Sequence, residues 1–259
     1  LDNDAKHIII SLGGIGSFDG GAGMLQALGA KFYDDEANLV DVTKGAQVIK
    51  YIRRLDFSGI HPKLAEANIQ VMSDFSSRLY GKQSEIMQMY PMLGMTQNEA
   101  AEIDNLVWYF SELFKSELRV TIGPIERGGA GGGIAAVLNG LYQAEILTSH
   151  ELVDQITHLE DLVQQADLII FGEGLNERDQ LLETTTLRIA DLTEKHHKTS
   201  IAICATNDKF DLFEGKGVTA MFNTFIEMPE SYTDFKMGLQ IRHYTVQALK
   251  LLKTQFDVN

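Results

Sequence analysis

The sequence contains little cysteine and proline, no long apolar run and few basic residues. Its 259 residues include four prolines and one cysteine, Cys204, which has no partner for an intramolecular disulfide. A reducing, cytoplasmic setting is therefore expected, because disulfides persist mainly in oxidising compartments. No run of about 18 apolar residues occurs, so the sequence predicts no membrane-spanning helix.

Basic residues are scarce relative to acidic ones. The chain carries 22 Lys and Arg against 36 Asp and Glu, which gives a net charge of −14. The negative electrostatic potential of such a chain repels nucleic-acid phosphates and anionic lipid headgroups. We therefore expect no nucleic acid or membrane as a partner. The expected ligand is a small molecule, and an anionic ligand would need backbone N–H groups and a metal ion as sources of positive charge.

Glycine, by contrast, is abundant and clustered. Of 23 glycines, seven lie between Gly13 and Gly29 and seven between Gly123 and Gly140. A composition of 44% hydrophobic and 22% charged residues is typical of a packed globular protein. The two glycine windows are therefore the feature that a functional interpretation must explain.

Apolar runs alternate with helical patterns along the chain. The run 7–12 ends at Gly13 and Gly14, is followed by a glycine turn and a helix, and predicts a strand buried on both faces. The alternation predicts an α/β fold with two α/β domains and mainly parallel sheets, 1–160 and 161–259. Strands are predicted at 7–12, 69–74, 166–174, 199–205 and 218–223, and helices at 24–28, 97–117, 134–138, 150–165, 184–195 and 235–254. The segment 43–58 is predicted as a helix followed by a turn.

The common glycine, serine and histidine motifs are absent. The segment 14–19 has Asp at the third glycine position of a dinucleotide-binding fingerprint, and 129–134 ends in Ile. The segment 16–20 lacks the spacing of a hydrolase nucleophile elbow. The seven histidines form no zinc-binding pair, so zinc is not expected.

Three carboxylates lie at or just beyond the ends of predicted strands: Asp19, Asp74 and Glu173. Ligands of open parallel sheets bind at the carboxyl ends of the strands. Each acid taken alone is better explained as a cap of the next helix. Together they favour a shared cleft, which could hold Mg²⁺ because magnesium prefers oxygen ligands.

The segment 13–29 closely resembles the glycine-rich signature of the two-domain α/β glycerate kinase family. That signature reads Gly-Gly-Ser-Ala-Thr-Asn-Asp-Gly-Gly-Ala-Gly-Met-Leu-Gln-Ala-Leu-Gly, and the present sequence keeps most of it. The resemblance covers essentially the whole chain, continuing in order through 55–59, 62–64, Asp74, 129–133 and 167–174.

The resemblance implies ATP-dependent phosphorylation of glycerate, with ATP and Mg²⁺ as cofactors. It implies that 1–160 is the glycine-rich substrate-side domain and 161–259 a partial Rossmann-like, nucleotide-side domain. This second domain is expected to be incomplete, because family members begin with a further strand and an Asp-Ser-Phe-Lys-Gly motif. The implied catalytic residues are Asp74, also the candidate metal ligand, and Asp19; the implied substrate- or phosphate-binding residues are Gly13, Gly14, Ser17, Gly20, Gly21, Gly131, Gly132 and Glu173.

Several positions depart from the family motifs, and most departures remove polar or cationic groups. Phe18 replaces an Asn, Ser77 and Arg78 replace Asn-Pro, Leu93 replaces a Lys and Leu175 an Arg. Because charge neutralisation dominates phosphoryl transfer, we expect impaired phosphorylation by this chain.

Two alternatives stay open beside impaired catalysis. Arg78 and Lys82 could supply the missing charge, or the chain could be a non-catalytic homologue that senses an organic acid or binds a protein partner. An apolar cluster fits either core packing or the interface of a homodimer. Its members are Met87, Met89, Tyr90, Met92 and Met95.

Overall fold

A computed structural model describes residues 1–14, 16–173, 184–204, 213, 215–224 and 234–256. The chain divides into two compact units, Leu1–Thr148 and Ser149–Asn259. This division precedes the predicted one at residue 160, because the helices that follow Thr148 pack against a later helix of the second unit. The assignment of substrate and nucleotide roles to the two units stays a prediction.

The first unit contains a parallel sheet of three strands and a small antiparallel hairpin. The sheet has the order β1 (His7–Ser11), β4 (Asn68–Met72), β5 (Glu145–Leu147), and the hairpin joins β2 (Lys31–Tyr33) to β3 (Arg54–Asp56). Four α-helices complete the unit: α1 (Ala22–Ala27), α2 (Glu85–Met89), α3 (Gln97–Leu113) and α4 (Ile134–Tyr142). Short 3₁₀ turns lie at Val42–Lys44, Ala46–Tyr51, Pro62–Glu66 and Ala130–Gly133, and a π-turn at Phe114–Leu118.

Helix α4 forms the centre of the first unit. Ala135 and Leu138 pack towards the parallel sheet with Ile69 and Val71. Ala136 and Val137 belong to a second cluster, built mainly around α1, α3 and the hairpin, so α4 is buried on opposite faces. A helix that is apolar all round is stable only in such a position.

The second unit is a parallel sheet with a helix packed on each face. Its strands have the order β6 (Leu168–Glu173), β7 (Thr199–Cys204), β8 (Ala220–Asn223). One face packs against α7 (Thr185–Lys195), and the other against α8 (Asp234–Phe256) through Ala248. Helices α5 (Ser149–Thr157) and α6 (Leu159–Gln165) pack against α7.

The α/β class and the parallel sheets predicted from the sequence are confirmed. Helix α3 begins with a capping box, in which Thr96 and Glu99 accept each other's backbone N–H groups. Within the described residues, no helix is long and apolar enough to cross a membrane.

Three predictions of local structure are wrong. Strand β1 is not buried on both faces: Ile10 packs inward, but Ile9 is 51% exposed on the sheet face that also carries Gln70 and Glu145. The helix followed by a turn that is predicted over 43–58 is instead two 3₁₀ turns and β3. The helix predicted at 150–165 breaks at His158, whose φ of 51° interrupts the helical hydrogen bonds.

The end of α1 lies against the loop that follows β3. A Cβ built on Gly29 would overlap the carbonyl oxygen of Gly59, and one built on Gly59 would lie 2.5 Å from the carbonyl oxygen of Gly29. The backbones therefore touch directly, with no room for a side chain at either position.

Candidate functional site

The carboxyl ends of β1 and β4 bring the first glycine window close to Asp74. Ser11 pairs with Met72 in the parallel register, and the N–H of Leu12 donates to the carbonyl of Met72. Gly13 and Asp74 therefore leave the sheet at neighbouring positions on one edge. Asp74 is half-buried, whereas Gly13 and Gly14 are exposed and have open space where a Cβ would stand.

The two glycine windows form one structure. The N–H of Gly20 donates to the carbonyl of Gly132 at 2.8 Å. A Cβ on Gly132 would overlap the carbonyl of Ser17, and a Cβ on Gly133 would lie 2.6 Å from the Cα of Gly20. Gly131, Gly132 and Gly133 all have positive φ, so this contact requires glycine for both conformation and space.

Asp19 caps the start of α1. Its Oδ1 accepts the N–H of Gly21 at 3.0 Å and its Oδ2 accepts the N–H of Gly23 at 2.8 Å. The residue is only 9% exposed. Both oxygens therefore accept N–H groups of the loop and helix that directly follow Asp19. This is the capping role expected for any one of the strand-end acids taken alone. A catalytic role for Asp19 stays a prediction.

Glu85 is part of this arrangement and was not predicted. Its Oε2 accepts the N–H of Gly132 at 3.0 Å, across 47 residues of sequence. Glu85 opens α2, whose start is fixed by Ser84 as N-cap and by the pairing of Arg78 with Ser84. Ser84 before Glu85 is a visible helix-start signal, but nothing in the sequence relates Glu85 to Gly132.

The segment after Asp74 contacts the second glycine window at Gly129. The N–H of Gly129 donates to the carbonyl of Ser77, and a Cβ on Gly129 would lie 2.6 Å from the Oγ of Ser77. Ser77 is 2% exposed, and its hydroxyl bonds no atom of the described residues. Arg78 is exposed and donates from Nη1 to the carbonyl of Pro124.

The candidate binding glycines thus fall into two groups. Gly20, Gly21, Gly131 and Gly132 are buried, and the N–H groups of Gly20, Gly21 and Gly132 are already bonded inside the protein. Among the described members of the set, Gly13 and Gly14 are exposed and Ser17 is half-buried. Ligand binding by any of them stays a prediction.

Glu173 belongs to the second unit. It ends β6 opposite Cys204 of β7, at the carboxyl edge of that sheet. Its side chain, and the departure at Leu175, lie outside the described residues. Among the residues that the structure describes, no three His, Cys, Asp or Glu side chains are grouped to hold a metal ion.

The protein has parallel sheets, and glycine loops and an acidic residue lie at the carboxyl edge of one of them. These features are typical of α/β proteins that bind ligands beyond the ends of their strands. The model of the glycerate kinase family matches residues 1–244. The chain therefore belongs to the glycerate kinase family.

Curated relatives and a solved structure agree with this membership. The chain is 30% identical over 224 residues to the glycerate 2-kinase of Escherichia coli K12, and 29% identical over 239 residues to a glycerate kinase of Halalkalibacterium halodurans. These matches cover 86% and 92% of this chain but only 58% and 60% of the relatives. A putative glycerate kinase 2 from Salmonella typhimurium LT2 has a similar structure, with a TM-score of 0.77, 26% identity, and coverage of 98% of this chain and 67% of that one.

Proposed function

We propose that this chain takes part in ATP-dependent transfer of a phosphoryl group to a hydroxyl of glycerate or a related hydroxy acid. The observation that supports this most is the sheet edge where β1 and β4 end in register. Exposed backbone at Gly13 and Gly14 lies there beside a carboxylate, Asp74. An anionic substrate and a reacting hydroxyl need these two kinds of group side by side.

In this proposal the groups have distinct tasks. Gly13, Gly14 and Ser17 bind the carboxylate of the hydroxy acid through N–H and hydroxyl groups. Asp74 acts as the general base and accepts the proton of the attacking hydroxyl, as an aspartate does in other phosphoryl-transfer enzymes. The buried glycines, with Asp19, hold the two loops in place.

The donor set at this edge fits magnesium, because Mg²⁺ is commonly held by one or two carboxylates together with substrate phosphates and water. Asp74 would be the protein ligand. Bound Mg-ATP supplies the phosphoryl group and neutralises its charge. Binding of the nucleotide by 161–259, with Glu173 at the edge of its sheet, is part of the same proposal.

We expect the transfer to be slow, because cations of the family motif are replaced. Leu93 takes the place of a family lysine and is 42% exposed. A single arginine in other phosphoryl-transfer enzymes contributes about 10³- to 10⁵-fold to kcat. Arg78 and Lys82, both exposed, are the cations that would compensate.

The proposal predicts that Asp74→Asn abolishes most phosphoryl transfer by the full-length gene product. Loss of a general base lowers kcat by about 10²- to 10⁴-fold. The measurement is ADP release in a coupled assay with glycerate, ATP and Mg²⁺. The exposed Asp35→Asn is the matched control, and equal activity of the Asp74 and Asp35 variants would contradict the role of Asp74.

A non-catalytic homologue is the second candidate function. It is favoured by the apolar replacement at Leu93 and by the use of the Gly132 N–H inside the protein. Such a protein would bind a small organic acid without turnover. Mg-ATP binding measured by calorimetry, together with ADP release in the coupled assay, would exclude a non-catalytic function.

A further inference from the structure

The second glycine loop already holds an anion, and this anion belongs to the protein. Gly132 lies next to Gly133, the N-cap of α4, a helix of nine residues. A helix N-terminus carries a partial positive charge and favours anions. The carboxylate of Glu85 occupies this place by accepting the N–H of Gly132.

A second observation marks the same loop as a binding place. Ser77 contacts Gly129, where the turn that leads to Gly132 begins. Its hydroxyl is buried and has no hydrogen-bond partner among the described residues. Because burying an unpaired hydroxyl is unfavourable, a polar ligand atom that reached the loop would stabilise this group.

We propose that Glu85 is a specificity-determining residue, whose carboxylate keeps external anions off the Gly132 N–H at the start of α4. Two anions cannot share one N–H donor, and a second negative charge beside Glu85 is repelled. Anionic groups of the substrate are then restricted to the exposed first loop at Gly13 and Gly14. The inference deepens the proposed function, since it assumes that these loops form the anion-binding side of that site.

Residue-resolved titration with inorganic phosphate tests this inference. Protein labelled with ¹⁵N-glycine gives a separate amide signal for each glycine, including Gly132. In wild-type protein we expect phosphate to leave the Gly132 signal unchanged. In Glu85→Ala, and less strongly in Glu85→Gln, the signal shifts saturably, with apparent affinity for phosphate raised by about tenfold or more because like-charge repulsion is removed.

Glu102→Gln is the matched control, because it removes the same charge from an exposed position on α3. It should behave as wild type. The inference is overturned if Gly132 shifts equally in wild-type protein, if folded Glu85 variants show no shift, or if both Glu85 variants fail to fold, which would make Glu85 purely structural.

This test is independent of catalysis. Phosphate binding by the Glu85 variants without ADP release in any variant would refute the proposed function and leave the inference intact. ADP release by the wild-type protein, together with no Gly132 shift in the folded Glu85 variants, would refute the inference and leave the proposed function intact.

Discussion

At the scale of single residues, Asp19 shows how one carboxylate joins a loop to a helix. Replacing it with Ala leaves the N–H groups of Gly21 and Gly23 without their acceptors in a buried place. We expect a loss of roughly 2 kcal/mol in the free energy of unfolding, in line with the loss of a helix cap and of charged hydrogen bonds. Urea titration measures it.

Two further variants sharpen the test of Asp19. Asp19→Asn keeps one acceptor oxygen and should lose less stability than Asp19→Ala. Asp35→Ala, at an exposed position, should lose almost none. If Asp19→Ala is as stable as Asp35→Ala, the two hydrogen bonds do not contribute to stability.

Gly14 and Gly132 separate the two reasons for which a glycine is required. Both have positive φ, 73° and 63°, but only Gly132 has backbone atoms where a Cβ would stand. Gly14→Ala should cost only about 1–2 kcal/mol of conformational strain. Gly132→Ala should prevent native packing of the two loops.

Thermal unfolding of both glycine variants measures the difference. Similar melting temperatures for Gly14→Ala and Gly132→Ala would show that the loops separate easily and do not form a fixed unit.

The glycines and acids of the candidate site are visible in the sequence, but the contacts between them are not. Glycines and strand-end acids are recognisable because they form a continuous motif next to apolar runs. Glu85 and Ser77 carry no such local signal, since their contacts with Gly132 and Gly129 exist only after the chain has folded. The burial that separates structural glycines from exposed ones is likewise a tertiary property.

At the scale of elements, α6 and α7 are linked by ionic contacts around Glu160. Lys195 and His196 at the end of α7 bond its carboxylate, and these hydrogen bonds lower the pKa of Glu160 to about 2 from 4.5. A lowered folded-state pKa stabilises the fold above the unfolded-state value. The contribution should be complete above about pH 4.5 and lost as pH falls towards 2.

Unfolding measured across pH for wild type and Glu160→Gln tests this link. The stability difference between them should be constant near neutral pH and shrink through the acid range. Glu194→Gln, exposed on α7, is the control and should show no such change. A difference independent of pH would mean that the charge of Glu160 does not matter.

Strands and helices were predicted best where a single pattern dominates. Strand β7 is buried between two helices, and its apolar run was recognised almost to the residue. Strands β2, β3 and β5 have three residues each, too few for alternation to be visible. Strand β1, with three consecutive isoleucines, is at least as apolar as β7, so exposure of Ile9 depends on what covers the sheet and not on the strand itself.

At the scale of the whole molecule, the net charge of −14 predicts no binding to nucleic acid. Non-specific binding depends on neutralising phosphates with lysine and arginine, which this chain lacks in excess. The protein should pass through a heparin column at about 0.15 M salt, where exposed charges still act over roughly 8 Å. Retention comparable to that of a basic protein on the same column would contradict this.

The chain spans 58% and 60% of the length of the two curated relatives described above. Family membership therefore rests on the matched part, and glycerate phosphorylation by the whole protein is the proposal to test. Both units contribute a parallel sheet, and the glycine loops with Asp74 all lie in the first.

The contact between Gly29 and Gly59 has a consequence for how this sequence can change. Each position excludes a side chain because of the other's backbone, so a substitution at one cannot be relieved by a substitution at the other. Replacing either glycine alone, or both one after the other, should destabilise this contact. In a mutational library randomised at both positions and selected for folded protein, we expect glycine at both positions, and descendants of this gene should keep both glycines.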